Sequence, residues 1–457
     1  MKRLLIILGV IILASCSFDN KTGIWKDASN IPVEDSGLGS IQNDNANQRY
    51  EEIFTKDKIY NEEKVGSIPL NISIDQPIKV SNWVEQYAVP TNNISNFYYT
   101  NKDVLVSKSS KLSKFSGNKN YSNRSVLFYE NKLISYDHKG TIFLYDLEFK
   151  KKIFEYNFYK KNFKNFEKEI YLLIDKNVLF AADNLGYLYA IDLNSRSLLW
   201  AKNYGIPFRS NIKFANNQLF LANQDNVIYS INIQNGDKNW QFATSLTFLK
   251  SDFYNNFAVD EVNNNLIFLN TSGELYSINY LDQKINWVLN FKNPSLAGDT
   301  DLFLSQPIII KNNDVLISTE KAIFSYNHLN TIRNWSFSIE PSLKPVSTLN
   351  HVFVLANNDL LICLDLSTGN VIWSKNIFKE IGNNKISKKI GKFYDMKIVN
   401  GNINLFSNEG YSFSYKFDDG SLINFKKLSR SGINSKIYFI NESMLLLDNS
   451  NKLLRYN

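Results

Sequence analysis

At 457 residues, with 44% hydrophobic and 14% aromatic side chains, the chain can bury a large core in one repeat domain or in two or three ordinary ones. Its formal charge of +7 is scattered along the length, which argues against a nucleic-acid surface. Cys16 and Cys363 are the only cysteines, so neither a disulfide framework nor a cysteine-based metal site is available.

Met1-Lys2-Arg3 forms a positive start, and Leu4 to Leu13 is an apolar run of about ten residues. That run is too short to span a bilayer and has the size of a signal-peptide core. It ends in Leu13-Ala14-Ser15-Cys16, which resembles a bacterial lipobox. Residues 1–15 are thus expected to be a lipoprotein signal peptide, and Cys16 the lipidated first residue of the mature chain. Ser17 follows where an Asp would favour retention at the inner membrane, so an outer-membrane anchor facing the periplasm is expected. Residues 16–72 carry no sustained period, and the polar stretch from Ile41 to Gln48 reads as part of a flexible tether.

From about residue 73 to 457 short apolar strands alternate with Asn, Gly, Asp and Ser clusters, and no helical period is sustained. A repeat underlies this pattern. Eight positions separate Asp192 from Trp200, Asn232 from Trp240, Asn279 from Trp287, Asn327 from Trp335, Asp365 from Trp373 and Asp146 from Phe154. In each unit the Asp or Asn ends a strand and can bond turn amides, and Gly236, Gly369 and Gly420 fall where the turn calls for positive φ. The aromatic docks one sheet on the next. Lys416 and Asn457 continue the register, giving eight units in all. Unit seven has Asn424 in place of Trp, and unit eight stops before its outermost strand. The expected fold is all-β, an eight-bladed propeller. The spacing places the closing strand near Asp103 to Lys108, with Trp83 on an extension crossing the bottom or side of the ring.

Catalytic and metal signatures are missing. His138, His328 and His351 occur singly, and the sequence has no His-x-x-x-His, calcium loop, Gly-x-Ser-x-Gly elbow or phosphate loop. Asp418-Asp419 precedes Gly420 in a turn and reads as solvated.

The units Ala190…Asp192…Trp200 and Cys363…Asp365…Thr368-Gly369…Trp373 resemble the docking motif of propellers of the pyrroloquinoline-quinone type. One branch of that fold comprises quinone-dependent alcohol dehydrogenases, with cofactor and calcium on the axis and commonly a vicinal disulfide; no adjacent cysteines occur here. The other is the BamB family of the outer-membrane β-barrel assembly machinery, and the lipobox, tether and eight units resemble it over nearly the whole chain. Asp19 to Trp25, Trp83 to Gln86 and Ser272 to Leu275 look like α-proteobacterial members. The resemblance implies no enzyme activity and no cofactor. It implies a scaffold that binds the periplasmic POTRA domains of a BamA-like subunit beside other subunits of the machinery. Carried over, the docking residues are Phe208 and Arg209 in the loop after Trp200, and Asp299 and Asp301 ahead of Pro307. Phe208 is expected to be exposed beside Arg209 as an interface anchor, and the acid pair to add orientation and on-rate. The remaining class is a quinoprotein or ligand-binding propeller.

Overall fold

A computed structural model of the chain describes strands at 16–18 and 25–27, and residues 58–66, 72–113, 125–159, 163, 165–246, 254–291, 303–381 and 389–457. Two compact units are present, residues 1–57 and 58–457. In the first, Cys16–Phe18 pairs antiparallel with Trp25–Asp27, so part of the stretch expected to be a plain tether forms a short strand pair.

The second unit is an eight-bladed propeller, each blade an antiparallel four-stranded sheet. Blade 1 runs Leu127–Tyr129, Lys132–Tyr136, Thr141–Asp146 and Lys151–Asn157, from the axis outward. Innermost strands of the next six blades begin at Ile170, Lys213, Asn256, Ile309, Val346 and Phe393. The inner three strands of a blade are mostly buried, whereas the outermost faces solvent: Thr141–Asp146 has a buried centre, and no residue of Lys151–Asn157 is fully buried. Apolar faces of neighbouring sheets cover one another, which is why the repeat needs a ring.

In blades 1 to 6 the register Asp or Asn caps its turn as expected. Asp192 Oδ1 accepts from the amides of Asn194 and Ser195, and Asp365 Oδ1 from those of Ser367 and Thr368. The residue four places on is left-handed in seven blades: Lys150, Arg196, Gly236, Gln283, Thr331, Gly369 and Gly420 all have φ between 53° and 71°. In three of these turns the indole of the preceding blade leaves room only for glycine. A Cβ on Gly236 would come within 2.5 Å of the Trp200 ring, one on Gly369 within 2.6 Å of Trp335, and one on Gly420 within 2.5 Å of Trp373. Those indoles, and that of Trp287, donate to the carbonyl just after the next blade's register residue: Ile233, Leu366, Phe417 and His328. Trp240, for which the next blade's turn carries Gln283 at the glycine position, packs on Phe220 and Phe242 and has no acceptor for its N–H. Phe154, which has no N–H to offer, packs in the first core cluster with Leu193 of blade 2.

Ring closure follows the spacing argument. Leu105–Lys111 pairs antiparallel with Lys452–Tyr456 and is the outer strand of blade 8, beyond Tyr438–Ile440 and Ser443–Leu447. Docking on the ring starts upstream of the expected boundary at residue 73. Tyr60 N donates to Ser338 O of blade 5, and Lys64 pairs antiparallel with Ser374 of blade 6, satisfying backbone groups on exposed outer strands.

Candidate functional site: the axis and the face around it

Eight inner strands converging on an axis would leave backbone groups unpaired in a narrow space. Residues 80–97 fill it, visiting blades 1 to 7 in ring order. Trp83 forms an antiparallel bridge with Phe128 of blade 1, and Val84 O accepts from Ile174 N of blade 2. Val89 O accepts from Lys213 Nζ of blade 3. Pro90 O and Thr91 O accept from Val259 N of blade 4 and Ile310 N of blade 5. Asn93 Nδ2 donates to Ser347 O of blade 6, and Phe97 N to Ile398 O of blade 7. The segment's start reaches blade 8, where Asn441 N donates to Val80 O. Trp83, 3% exposed, stacks on Phe97 at 5.9 Å and meets Tyr438 edge-on at 5.0 Å. The extension thus crosses the ring at the axis, near the ends of the inner strands. Nothing periodic marks this stretch, so its partners could not be found from the sequence.

Charges accompany the plug. Lys213 Nζ lies 2.6 Å from Glu85 Oε1, both side chains sealed from solvent; burial pushes the carboxyl up and the ammonium down from their ordinary values. Asp395 holds Lys397 at 2.8 Å and accepts from Ile437 N on its other oxygen. Lys397 also sits 5.6 Å from the Trp83 ring centre. Lys344 Nζ donates to Asn92 O and Pro345 O, and Lys436 Nζ lies 3.9 Å above the Tyr87 ring. Lys344, Asp395, Lys397, Lys436 and Tyr87 line a cavity of about 120 Å³ beside the plug. A wider cleft of about 320 Å³ adjoins it through Tyr87, Gln306 and Pro307, lined by Asn211, Tyr254 and Asn256 on the loops entering the inner strands.

The same loops carry the docking residues expected from sequence. Phe208 is fully buried, against Tyr204 at 5.5 Å and Tyr229 at 6.1 Å, and its N–H bonds Asp183 O. It wedges blades 2 and 3 together and is not an exposed anchor; an aromatic after a turn looks the same in sequence whether it points out or in. Arg209 is partly exposed and pairs with Glu169 at 3.2 Å; the other oxygen of Glu169 accepts from the Tyr254 hydroxyl. Blades 2, 3 and 4 therefore meet at an Arg209–Glu169–Tyr254 cluster, of which sequence reasoning found only the arginine. Asp299 and Asp301 lie outside the described residues, as does the side chain of Cys16. Phe154 and the tryptophans at 200, 240, 287, 335 and 373 all lie between blades.

His328 and His351 are buried, bonded to Asp260 at 3.0 Å and to Ser73 O at 3.3 Å, and burial lowers the pKa of both. Cys363 is buried in blade 6, its thiol pushed up by desolvation.

Residues 160–375 match the family model described as outer membrane protein assembly factor BamB. Curated proteins of that description are similar: from Yersinia pestis, 22% identical over 221 residues, 44% of this chain and 54% of the relative; and from Moranella endobia, 22% over 252 residues, 50% and 59%. The chain spans a little over half the length of these relatives. Among solved structures, BamB from Moraxella catarrhalis superposes with a TM-score of 0.61 at 11% identity, over 78% of this chain and 99% of that one. A quinohemoprotein alcohol dehydrogenase from Pseudomonas putida superposes with 0.57 at 9% identity, over 83% and 80%. Both share the propeller fold.

Proposed function

We propose, for a chain whose residues 160–375 belong to the BamB family of outer membrane protein assembly factors, that it serves as a non-enzymatic scaffold subunit of the outer-membrane β-barrel assembly machinery. In this reading Cys16 anchors it by lipid to the periplasmic face of the outer membrane. The face around Arg209 and Glu169 docks on the periplasmic POTRA domains of a BamA-like subunit.

The occupied axis carries the reading. Residues 83–97 bond to the inner strands around the axis, so the surface left for a protein partner is the rim and its loops. A quinone–calcium pair does not fit. Four lysines (Lys213, Lys344, Lys397, Lys436) lie near the axial cavity against Glu85 and Asp395, both already paired, and a dication there would be repelled. Among the described residues no group of three His, Cys, Asp or Glu could hold a metal.

Arg209 is the docking residue with surface to offer. It is partly exposed where it pairs with Glu169, and a planar fork suits a partner carboxylate or backbone carbonyl. The test is co-purification from detergent-solubilised envelope with Arg209→Ala, its folding checked by melting temperature. Loss of the barrel subunit with unchanged melting supports docking through this face; full recovery of the subunit overturns it.

A further inference from the structure

The axial cavity is built for something other than a quinone. Its cationic groups come from three blades: Lys344 from the loop into Val346–Ser347, Lys397 from the inner strand of blade 7, and Lys436 from the loop into Tyr438–Ile440. Asp395 spends one oxygen on Lys397 and the other on the Ile437 amide. Among the described residues no carboxylate forms an ion pair with Lys344 or Lys436. The rest of the lining is rich in donors: the Tyr394 hydroxyl is buried with no partner, Tyr87 lies beneath Lys436, and the Gln306 amide stands on the side of the outer cleft. Two lysines held at one end of a propeller axis with neutral phenols beside them are costly unless a negative group joins them.

We propose that this cavity is a binding site for a small oxyanion carrying two or more charges, held by Lys344 and Lys436 with Tyr394 and Gln306 as neutral donors. A cavity of about 120 Å³ holds several water volumes, hence a tetrahedral oxyanion, but no peptide segment. The adjoining cleft between Asn211, Tyr254 and Asn256 gives it a route from the face that carries Arg209. Burial, with repulsion from Lys397 and Lys213 added to it, pushes both ammonium groups down to about 7, and a bound anion would raise them. Binding therefore draws blades 6, 7 and 8 together around the plug. This site is independent of whether Arg209 contacts a partner.

The test uses the full-length chain in phosphate-free buffer, titrated with inorganic phosphate while sodium chloride at matched ionic strength serves as control. The wild type should show a saturable rise in melting temperature with phosphate and none with chloride. Lys344→Gln and Lys436→Gln should each weaken phosphate binding about tenfold or more. Each should melt no lower than wild type without phosphate, because each removes a repelled cation. Direct calorimetric titration of wild type covers the case in which a variant does not fold. A phosphate effect that never saturates, or one that persists unchanged in Lys344→Gln and Lys436→Gln, overturns the site; so does calorimetry showing no heat of binding.

Discussion

Lys213 of blade 3 and Glu85 of the axial segment form an ion pair of 2.6 Å, with 0% and 5% of their side chains exposed. They lie 128 positions apart in the chain and are the charged lock between the plug and the ring. Removing one partner leaves the other buried and uncompensated, which costs about 3–5 kcal/mol. Lys213→Met should therefore lower the denaturation midpoint strongly. The double replacement Lys213→Met with Glu85→Leu should recover most of the loss, and no recovery in a denaturant titration would mean the pair is not the lock.

Phe208 and Arg209 are adjacent yet should fail differently. Phe208→Ala opens a cavity between blades 2 and 3 and should cost about 3–5 kcal/mol. Arg209→Ala loses one partly exposed ion pair, worth about 1 kcal/mol or less to stability. Thermal melts of the two variants side by side separate wedge from surface.

The turn glycines predict opposite signs at equivalent positions. Gly369→Ala drives a Cβ into the Trp335 ring at a φ of 71° and should destabilise by about 1–3 kcal/mol. Gln283→Gly, at a φ of 56°, should stabilise by about 1 kcal/mol by relieving a left-handed non-glycine. Denaturant midpoints decide it, and a stabilising Gly369→Ala would refute the clamp.

Deleting residues 104–111 removes the outer strand of blade 8 and leaves Lys452–Tyr456 as an open edge. Such an edge pairs with other chains. Light scattering after size exclusion should show oligomers where the intact chain does not, and a monodisperse monomer would show that closure is dispensable.

Stability should rise with pH across neutrality. Lys344 and Lys436 sit at about 7 when folded and return to the ordinary 10.5 on unfolding, so folding releases protons between these values. Their favourable contribution is complete above about 10.5 and is lost as pH falls through about 7. Within that window the slope is at most about 1.4 kcal/mol per pH unit for each lysine. The groups facing them are Lys213, Lys397, Asp395 and the neutral Tyr87 and Tyr394. The difference in melting temperature between Lys436→Gln and wild type, followed from pH 6 to 9, should shrink as pH rises; a constant difference would rule the mechanism out.

The sequence by itself determined the ring. Register residues such as Asp192 and Asp365, the aromatics eight positions on and the turn glycines act within one blade or on the next, so each repeat states its own local physics. Counting repeats then gave the number of blades and required a closing strand from the N-terminal side, which Leu105–Lys111 supplies. Only the tertiary structure decided what stands on the axis and which loop residues face out. Glu85 meets Lys213, Phe208 turns inward, and Lys344, Lys397 and Lys436 converge behind Trp83, from positions far apart that share no period. Closure of the ring brings them together, and a burial that arises only when eight sheets meet leaves no mark on any one of them.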